Sequence, residues 1–282
     1  VLEWNVKARD SEARKREMTL KFHIERLRYS SVPPRFRAPQ FNCGIRVESP
    51  TLTCDDEVVL PMIKKDRLTF EKLAETSAIT LRHYDAHAES FWQGTKDHDV
   101  SQNREALLSH LRGEPPYRIL DFGCGPGRDL KIFKAMGHEA IGLDGAERFV
   151  ELARGQSGCE VWQQDFLGLK LPAEYFDGIF ANASLFHVPS QELPRVLEEL
   201  WTALNPDGVL FSSNPRGENH EGWNGERYGV YYDWQRWSEI VSAAGFTEII
   251  HYYRPPGVPR EQQPWLASLW RKTTVQNVPR ME

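Results

Sequence analysis

Apolar residues recur along this chain in two rhythms. Leu73, Ala74, Ala78, Leu81 and Tyr84 fall at steps of three and four, which predicts a helix over 68–91. A second helix is expected over 101–111, burying Leu107, Leu108 and Leu111 and closing at Gly113. The clearest helical face spans 190–204, where Leu193, Val196, Leu197, Leu200, Trp201 and Leu204 share one side. Ser190 is its expected N-cap, Pro194 stays near the first turn, and Asn205-Pro206 ends it. A last helix is expected over 234–244, with Gly245 as its C-terminal glycine. Between the helices lie short apolar runs that read as strands at 119–122, 139–144, 160–163, 176–182 and 204–211. Two more, at 247–253 and 265–271, are separated by a proline-rich loop. Alternation of strands and helices implies parallel strands joined by right-handed crossovers. The stretch 214–233 breaks the pattern and reads as a long polar and aromatic insertion.

The first strand ends in an acid and then in glycines: Asp121-Phe122-Gly123-Cys124-Gly125-Pro126-Gly127-Arg128. Glycine tolerates positive φ and lets the backbone approach a ligand where a Cβ would clash. Between a buried parallel strand and a helix N-terminus, such a loop marks a nucleotide-type site at the carboxyl edge of a doubly wound sheet. The dinucleotide fingerprint G-x-G-x-x-G needs a third glycine where this chain has Arg128, which disfavours a nicotinamide dehydrogenase. Asp144 ends the second strand seventeen residues after Gly127. An acid there accepts hydrogen bonds from ribose hydroxyls in either kind of site, so it points to a nucleoside and not to one cofactor.

Composition narrows the alternatives. The chain has 282 residues, 40% hydrophobic and 27% charged, enough for one large domain or a core with an extension. No run approaches the roughly eighteen apolar residues of a membrane span, and no signal-peptide pattern is present. Cys43, Cys54, Cys124 and Cys159 lack metal-ligand spacing, so no metal site is expected, and reduced thiols point to a cytoplasmic protein. Residues 1–40 hold ten Lys/Arg against five Asp/Glu, whereas 116–282 hold sixteen against twenty-two. An acidic core is a poor partner for phosphates, so no nucleic-acid partner is expected. For the basic start, a flexible or spurious tail, an organelle-targeting peptide and a docked helix stay open; Asp10, Glu12, Glu17 and Glu25 count against targeting. The expected organisation is an N-terminal extension at 1–65, a helical cap at 66–115 and a core at 116–282.

Taken in order, these features resemble the class I (Rossmann-like, seven-stranded) S-adenosylmethionine-dependent methyltransferases of the small-molecule type. The glycine loop at 119–128 is similar to the family's first motif, and Gln164-Asp165-Phe166 follows the third strand as it does there. The segment from Asn182 to Pro189 is similar to the family's region after strand four. Leu204-Asn205-Pro206-Asp207-Gly208-Val209-Leu210 resembles the family's L-x-P-G-G-x-L, with Asp207 in place of the first glycine. The run from Tyr84 and Asp85 through Ala88 to Phe91 and Trp92 resembles the family's cap segment, Y-D-x-x-A-x-x-Y/F.

The resemblance implies an α/β fold: a doubly wound, mostly parallel seven-stranded sheet with a C-terminal antiparallel hairpin and an N-terminal helical cap. It implies S-adenosylmethionine as cofactor. Gly123, Cys124, Gly125 and Gly127 would hold the methionine part, Asp144 the ribose, and Asp165 and Phe166 the adenine. Asp121 would order the loop or bind the cofactor's amino group, and Tyr84 and Asn182 complete the set. Methyl transfer from a sulfonium depends chiefly on alignment and exclusion of water. His187 is a candidate general base, the alternative being a hydrogen-bonding role in its turn. In the insertion, Arg227 would pair an anionic group of a small-molecule acceptor, with Trp223 or Tyr228 packing its apolar part. The expected partners are that acceptor alone, with no membrane and a monomer favoured. A macromolecular (RNA or protein) methyltransferase is the alternative, although Asn182-Ala183-Ser184-Leu185 lacks the N-P-P-Y pattern of base-modifying members. A non-catalytic module that binds the cofactor also stays open.

Overall fold

The computed structural model describes residues 67–273. The N-terminal extension at 1–65, with its tail, targeting and docked-helix alternatives, lies outside the described residues.

Three helices come first: α1 (Phe70–Ala86), α2 (Ala88–Thr95) and α3 (Ser101–Leu108). The Thr69 hydroxyl caps α1 by accepting from the Lys72 N–H. The single helix expected over 68–91 is broken at His87. There the backbone leaves the helical region (φ −114°, ψ 13°), and the His87 N–H folds back onto the carbonyls of His83 and Tyr84.

The sheet follows as β1 (Arg118–Phe122), β2 (Glu139–Asp144), β3 (Glu160–Gln163), β4 (Phe176–Asn182) and β5 (Leu204–Pro215). After it come β6 (His220–Asn224), β7 (Arg227–Tyr231), β8 (Phe246–Arg254) and β9 (Trp265–Lys272). Seven of them form one sheet in the order β3-β2-β1-β4-β5-β9-β8. Neighbours from β3 through β5 are parallel, whereas β9 runs antiparallel to both β5 and β8. The intervening helices are α4 (Arg128–Ala135), α5 (Glu147–Ser157), α6 (Leu193–Ala203) and α7 (Trp234–Ala243). This is the doubly wound, mostly parallel architecture with its terminal antiparallel pair.

Period-two alternation sends neighbouring side chains to opposite faces. Leu120, Ile141 and Ile179 pack with Leu197 and Leu200 of α6 and Trp237 of α7, while Ile119, Phe180 and Phe211 pack with Leu130 and Phe133 of α4 and Leu107 of α3. Each fully buried Leu, Ile or Phe stabilises the fold by roughly 1.5–3 kcal/mol. Helix α6 begins three residues later than the apolar pattern predicts. Ser190 is not its cap: the Ser190 N–H and hydroxyl instead donate to Glu221 at 3.0 and 2.6 Å. Asp207, where the resembling motif has glycine, sits at φ +64°, a left-handed position that Asp tolerates better than most residues.

The stretch 214–233 is not a loop. Strand β5 continues to Pro215, and β6 and β7 then form an antiparallel hairpin turning at Gly225. Tyr228, Val230 and Tyr232 sink into the core, and the Tyr228 N–H donates to Thr80 Oγ1 of α1 at 3.1 Å. No helix among the described residues is long and apolar enough to cross a membrane.

Candidate functional site

A cavity of about 940 Å³ opens at the carboxyl ends of β1, β2, β4 and β5, with walls from α1, the β6–β7 hairpin and the β8–β9 connection. Its floor is the glycine loop. The Gly123 and Cys124 N–H groups donate to the Leu143 carbonyl at 2.8 and 3.0 Å, which ties the loop to β2. Gly123 has φ +74°, and a Cβ there would lie 2.3 Å from that of Ser184. Gly127 has φ +89°, and its Cβ would meet the Ala153 backbone of α5 at 2.8 Å. Both glycines are therefore required by close packing as well as by conformation.

Asp144 receives the Gly125 N–H on one carboxylate oxygen (2.9 Å) and the Ala146 N–H on the other (3.0 Å). Burial raises its pKa to about 6 in spite of those bonds. Asp121 is only 3% exposed and its Oδ2 has no partner among the described residues. Burial, reinforced by the nearby Asp129 carboxylate, holds it well above the usual carboxylate range. Asp129 is itself neutralised by Arg104 and Arg128, each at 2.6 Å. Asp165 accepts from the Ser77 hydroxyl (2.6 Å) and the Leu167 N–H (2.9 Å), and Phe166 stacks on Phe122 with ring centres 4.3 Å apart. Burial pushes the Cys124 thiol well up, which keeps it protonated.

The far half of the cavity is organised by two chains of hydrogen bonds. His187 Nδ1 lies 2.6 Å from the Tyr228 carbonyl, which can only accept, so Nδ1 carries the proton. Nε2 is then the acceptor for the Tyr84 hydroxyl at 2.7 Å. Burial lowers the His187 pKa to about 4, with the Arg227 charge adding to the effect, so the ring is neutral near pH 7. In the second chain Asn182 Oδ1 accepts from Asn103 Nδ2 (2.9 Å), and Asn103 Oδ1 accepts from the Tyr252 hydroxyl (3.0 Å).

The cavity brings together Asp121, Gly123, Cys124, Gly125, Asp144, Asp165, Phe166, Asn182, Tyr84, His187 and Arg227. Three other expected residues stand elsewhere. Gly127 packs on α5; Tyr228 points into the core; and Trp223, 48% exposed, meets Tyr228 edge-on outside the cavity lining. Sequence reasoning missed Arg254, Asn103, Phe149 and Trp265. Phe149 follows Asp144 by five residues and had a local signal, but Arg254 and Asn103 reach the site only through strand pairing and helix docking.

Residues 119–208 match a family model described as a methyltransferase domain. The chain contains a class I S-adenosylmethionine-dependent methyltransferase domain. Malonyl-[acyl-carrier protein] O-methyltransferase of Enterobacter lignolyticus is 31% identical to it over 118 residues, covering 41% of this chain and 46% of that protein. Probable tRNA methyltransferase 9B of Homo sapiens is 29% identical over 154 residues, covering 51% of this chain and 33% of that protein. The matching stretch therefore spans less than half the length of either relative. A solved structure of 1,6-didemethyltoxoflavin-N1-methyltransferase from Burkholderia thailandensis, with 1,6-didemethyltoxoflavin and S-adenosylhomocysteine bound, superposes with a TM-score of 0.61. At 21% identity, over 74% of this chain and 93% of that one, it shows a common fold. The methyltransferase domain's residues fit its cofactor. Asp144 is a buried acceptor at the tip of β2, and Asp121 keeps an oxygen that is unpartnered among the described residues. Above Gly125 a Cβ would meet only Phe91 and Phe149, at 3.9 and 4.0 Å, which leaves the floor open to a ligand.

Proposed function

We propose that this protein transfers a methyl group from S-adenosylmethionine to a small-molecule acceptor. One observation carries the proposal: the glycine-loop half of the cavity is continuous with a second half above β4 and β5, so cofactor and acceptor would share one walled space. When bound, the cofactor supplies an activated methyl group, and the protein's task is alignment and exclusion of water. Asp144 would accept from the ribose hydroxyls, Asp165 from the adenine amino group beside Phe166, and the loop backbone would hold the methionine part. Asp121, whose free oxygen is buried, would meet the ammonium group and ionise as it does so. In this proposal residues 66–115 form the cap and 116–282 the core.

His187 has a positioning role in this scheme and takes no proton from the acceptor. Both ring nitrogens are engaged, and its lowered pKa makes it a poor proton acceptor at neutral pH. It accepts the hydrogen bond of the Tyr84 hydroxyl, so that the phenol oxygen turns its lone pairs toward the Arg227 guanidinium at the cavity wall. The test is to incubate the protein with methyl-labelled S-adenosylmethionine and, in parallel, a metabolite extract, total tRNA and a protein extract. Label should pass to a low-molecular-weight product. Label in tRNA or protein would replace the small-molecule assignment, and cofactor binding with no transfer to any pool would mark a non-catalytic module.

A further inference from the structure

The cavity's two halves differ in charge. In the cofactor half Arg128 is charge-paired with Asp129, which Arg104 also pairs, and of the Arg128 nitrogens only the buried Nε is without a partner among the described residues. In the acceptor half, Arg227 enters from the start of β7 and Arg254 from the end of β8. Neither makes a carboxylate ion pair among the described residues; the Arg227 guanidinium instead donates to the Tyr84 hydroxyl oxygen. Arg254 donates through Nη2 to the Asp99 carbonyl (2.9 Å), and its buried Nε has no partner among the described residues. Two acids also line this side. The Asp99 carboxylate is turned onto the Ser101 N–H (2.9 Å) and feels Arg254 only as a more distant charge, and Asp97 stands on the exposed α2–α3 connection.

The Asn182 amide adds an independent sign of the same preference. Its oxygen is consumed by Asn103, whose own oxygen is consumed by Tyr252, so the orientation is fixed from behind. What remains for the cavity is the NH2 face. Two guanidinium groups and an amide donor, with Phe186 and Trp265 as apolar wall, make a surface rich in donors. Guanidinium forks match the paired oxygens of carboxylates and phosphates, and such charge-assisted bonds are the strong ones.

Resting on the methyltransferase reading above, we infer that the acceptor carries an oxyanion, a carboxylate or a phosphate, held by Arg254 with Arg227 and the Asn182 amide. The methylated atom lies elsewhere on the same molecule, toward Tyr84, and the anionic group serves as the handle that orients it.

The experiment titrates small probes into the full chain saturated with S-adenosylhomocysteine, reading tryptophan fluorescence and calorimetric heat. Benzoate and phenyl phosphate supply the two anions; benzamide supplies nearly the shape of benzoate without the charge. At least one anion should bind at least tenfold more tightly than benzamide, and the tighter of the two names the oxyanion. In Arg254→Gln that anion should weaken tenfold or more while S-adenosylhomocysteine affinity stays within twofold. Benzamide binding as well as the anions, no anion binding, or an unchanged anion affinity in a folded Arg254→Gln would each overturn the inference. The wild-type comparison stands even if the variant fails to fold. Failure of S-adenosylhomocysteine to bind would sink the methyltransferase reading instead. The same anion titration of the unliganded protein and the variant would still judge Arg254.

Discussion

The Tyr84 hydroxyl donates to Nε2 of His187 across 2.7 Å, and this bond joins the first helix to the turn that follows β4. Because Nδ1 donates at the same time to the Tyr228 carbonyl, His187 links three segments far apart in sequence and has no nitrogen left over. In the proposed scheme this makes His187, the candidate base of the sequence, a neutral fastener.

That neutrality has a measurable sign. Unfolded, His187 binds a proton below about pH 6.5; folded, it does so only below about 4. Between those values the unfolded chain holds more protons, so stability falls as pH falls through that window, by up to roughly 3 kcal/mol. Asp144 acts in the opposite sense: its folded pKa is raised to about 6, so its contribution is lost as pH rises toward that value. The Asp144 contribution is common to wild type and His187→Gln and cancels in their comparison. Urea unfolding at pH 7 and pH 4.5 should therefore show a smaller acid loss in His187→Gln than in wild type, by about 2–3 kcal/mol. An equal loss in both would mean that His187 is protonated in the folded protein.

Asp144 should also govern cofactor affinity through its protonation. Its carboxylate already accepts two backbone N–H groups, and ribose hydroxyls would use the remaining lone pairs. Asp144→Ala should cost about 1.5–3 kcal/mol, tenfold to over a hundredfold in S-adenosylhomocysteine affinity. In the wild type the affinity should decline as pH drops below about 6, where the carboxylate takes up a proton. Asp144→Asn should be weak at every pH and show no such decline. Calorimetry over pH 5 to 8 on both proteins decides it, and a wild-type profile flat through 6 would remove the assigned role.

Much of this arrangement was legible in advance because its signals are local. The run before Gly123, the acid at Asp144 and the apolar face from Leu193 to Leu200 each declare an element within a few residues. The hairpin did not. His220-Glu221-Gly222-Trp223-Asn224 has no apolar alternation, and it is a strand only because β7 pairs with it and buries its own side. The break at His87 was hidden for a related reason, since the apolar spacing runs on through it while the backbone there leaves the helical region. Arg254 could not be read at all. It ends an edge strand whose place beside the site follows from the sheet order, with β9 lying between β8 and β5.

The glycines of the loop should separate stability from binding. Gly123 and Gly125 both have positive φ, so an added Cβ strains each by about 1 kcal/mol. At Gly123 the Cβ would also fall 2.3 Å from Ser184 Cβ, whereas at Gly125 it meets nothing nearer than 3.9 Å. Gly123→Ala should therefore lose a further 1–3 kcal/mol from overpacking. Gly125→Ala should fold nearly as well as wild type yet bind S-adenosylhomocysteine poorly, because its methyl group would occupy the cavity floor. Melting curves with and without the ligand check both. Equal melting temperatures for the two variants would contradict the packing at Gly123.

The β6–β7 hairpin gives the last expectation: it is a fixed wall of the cavity. Tyr228 and Val230 lie in the core, the Tyr228 N–H rests on Thr80, and its carbonyl receives His187. Closing and opening would expose these side chains and break both bonds in each cycle, at a cost comparable with the stability of the whole domain. Thr80→Val keeps the volume but removes the acceptor, leaving a buried N–H unpaired. It should destabilise by about 1–3 kcal/mol, and Thr80→Ser, which restores the hydroxyl, should recover most of that. Amide exchange supplies the kinetic side: the β7 amides paired with β6 should exchange slowly in the unliganded protein and change little when S-adenosylhomocysteine binds. Fast exchange there that slows only on ligand binding would mean that the hairpin does move, and that its contacts with Thr80 and His187 belong to the closed state alone.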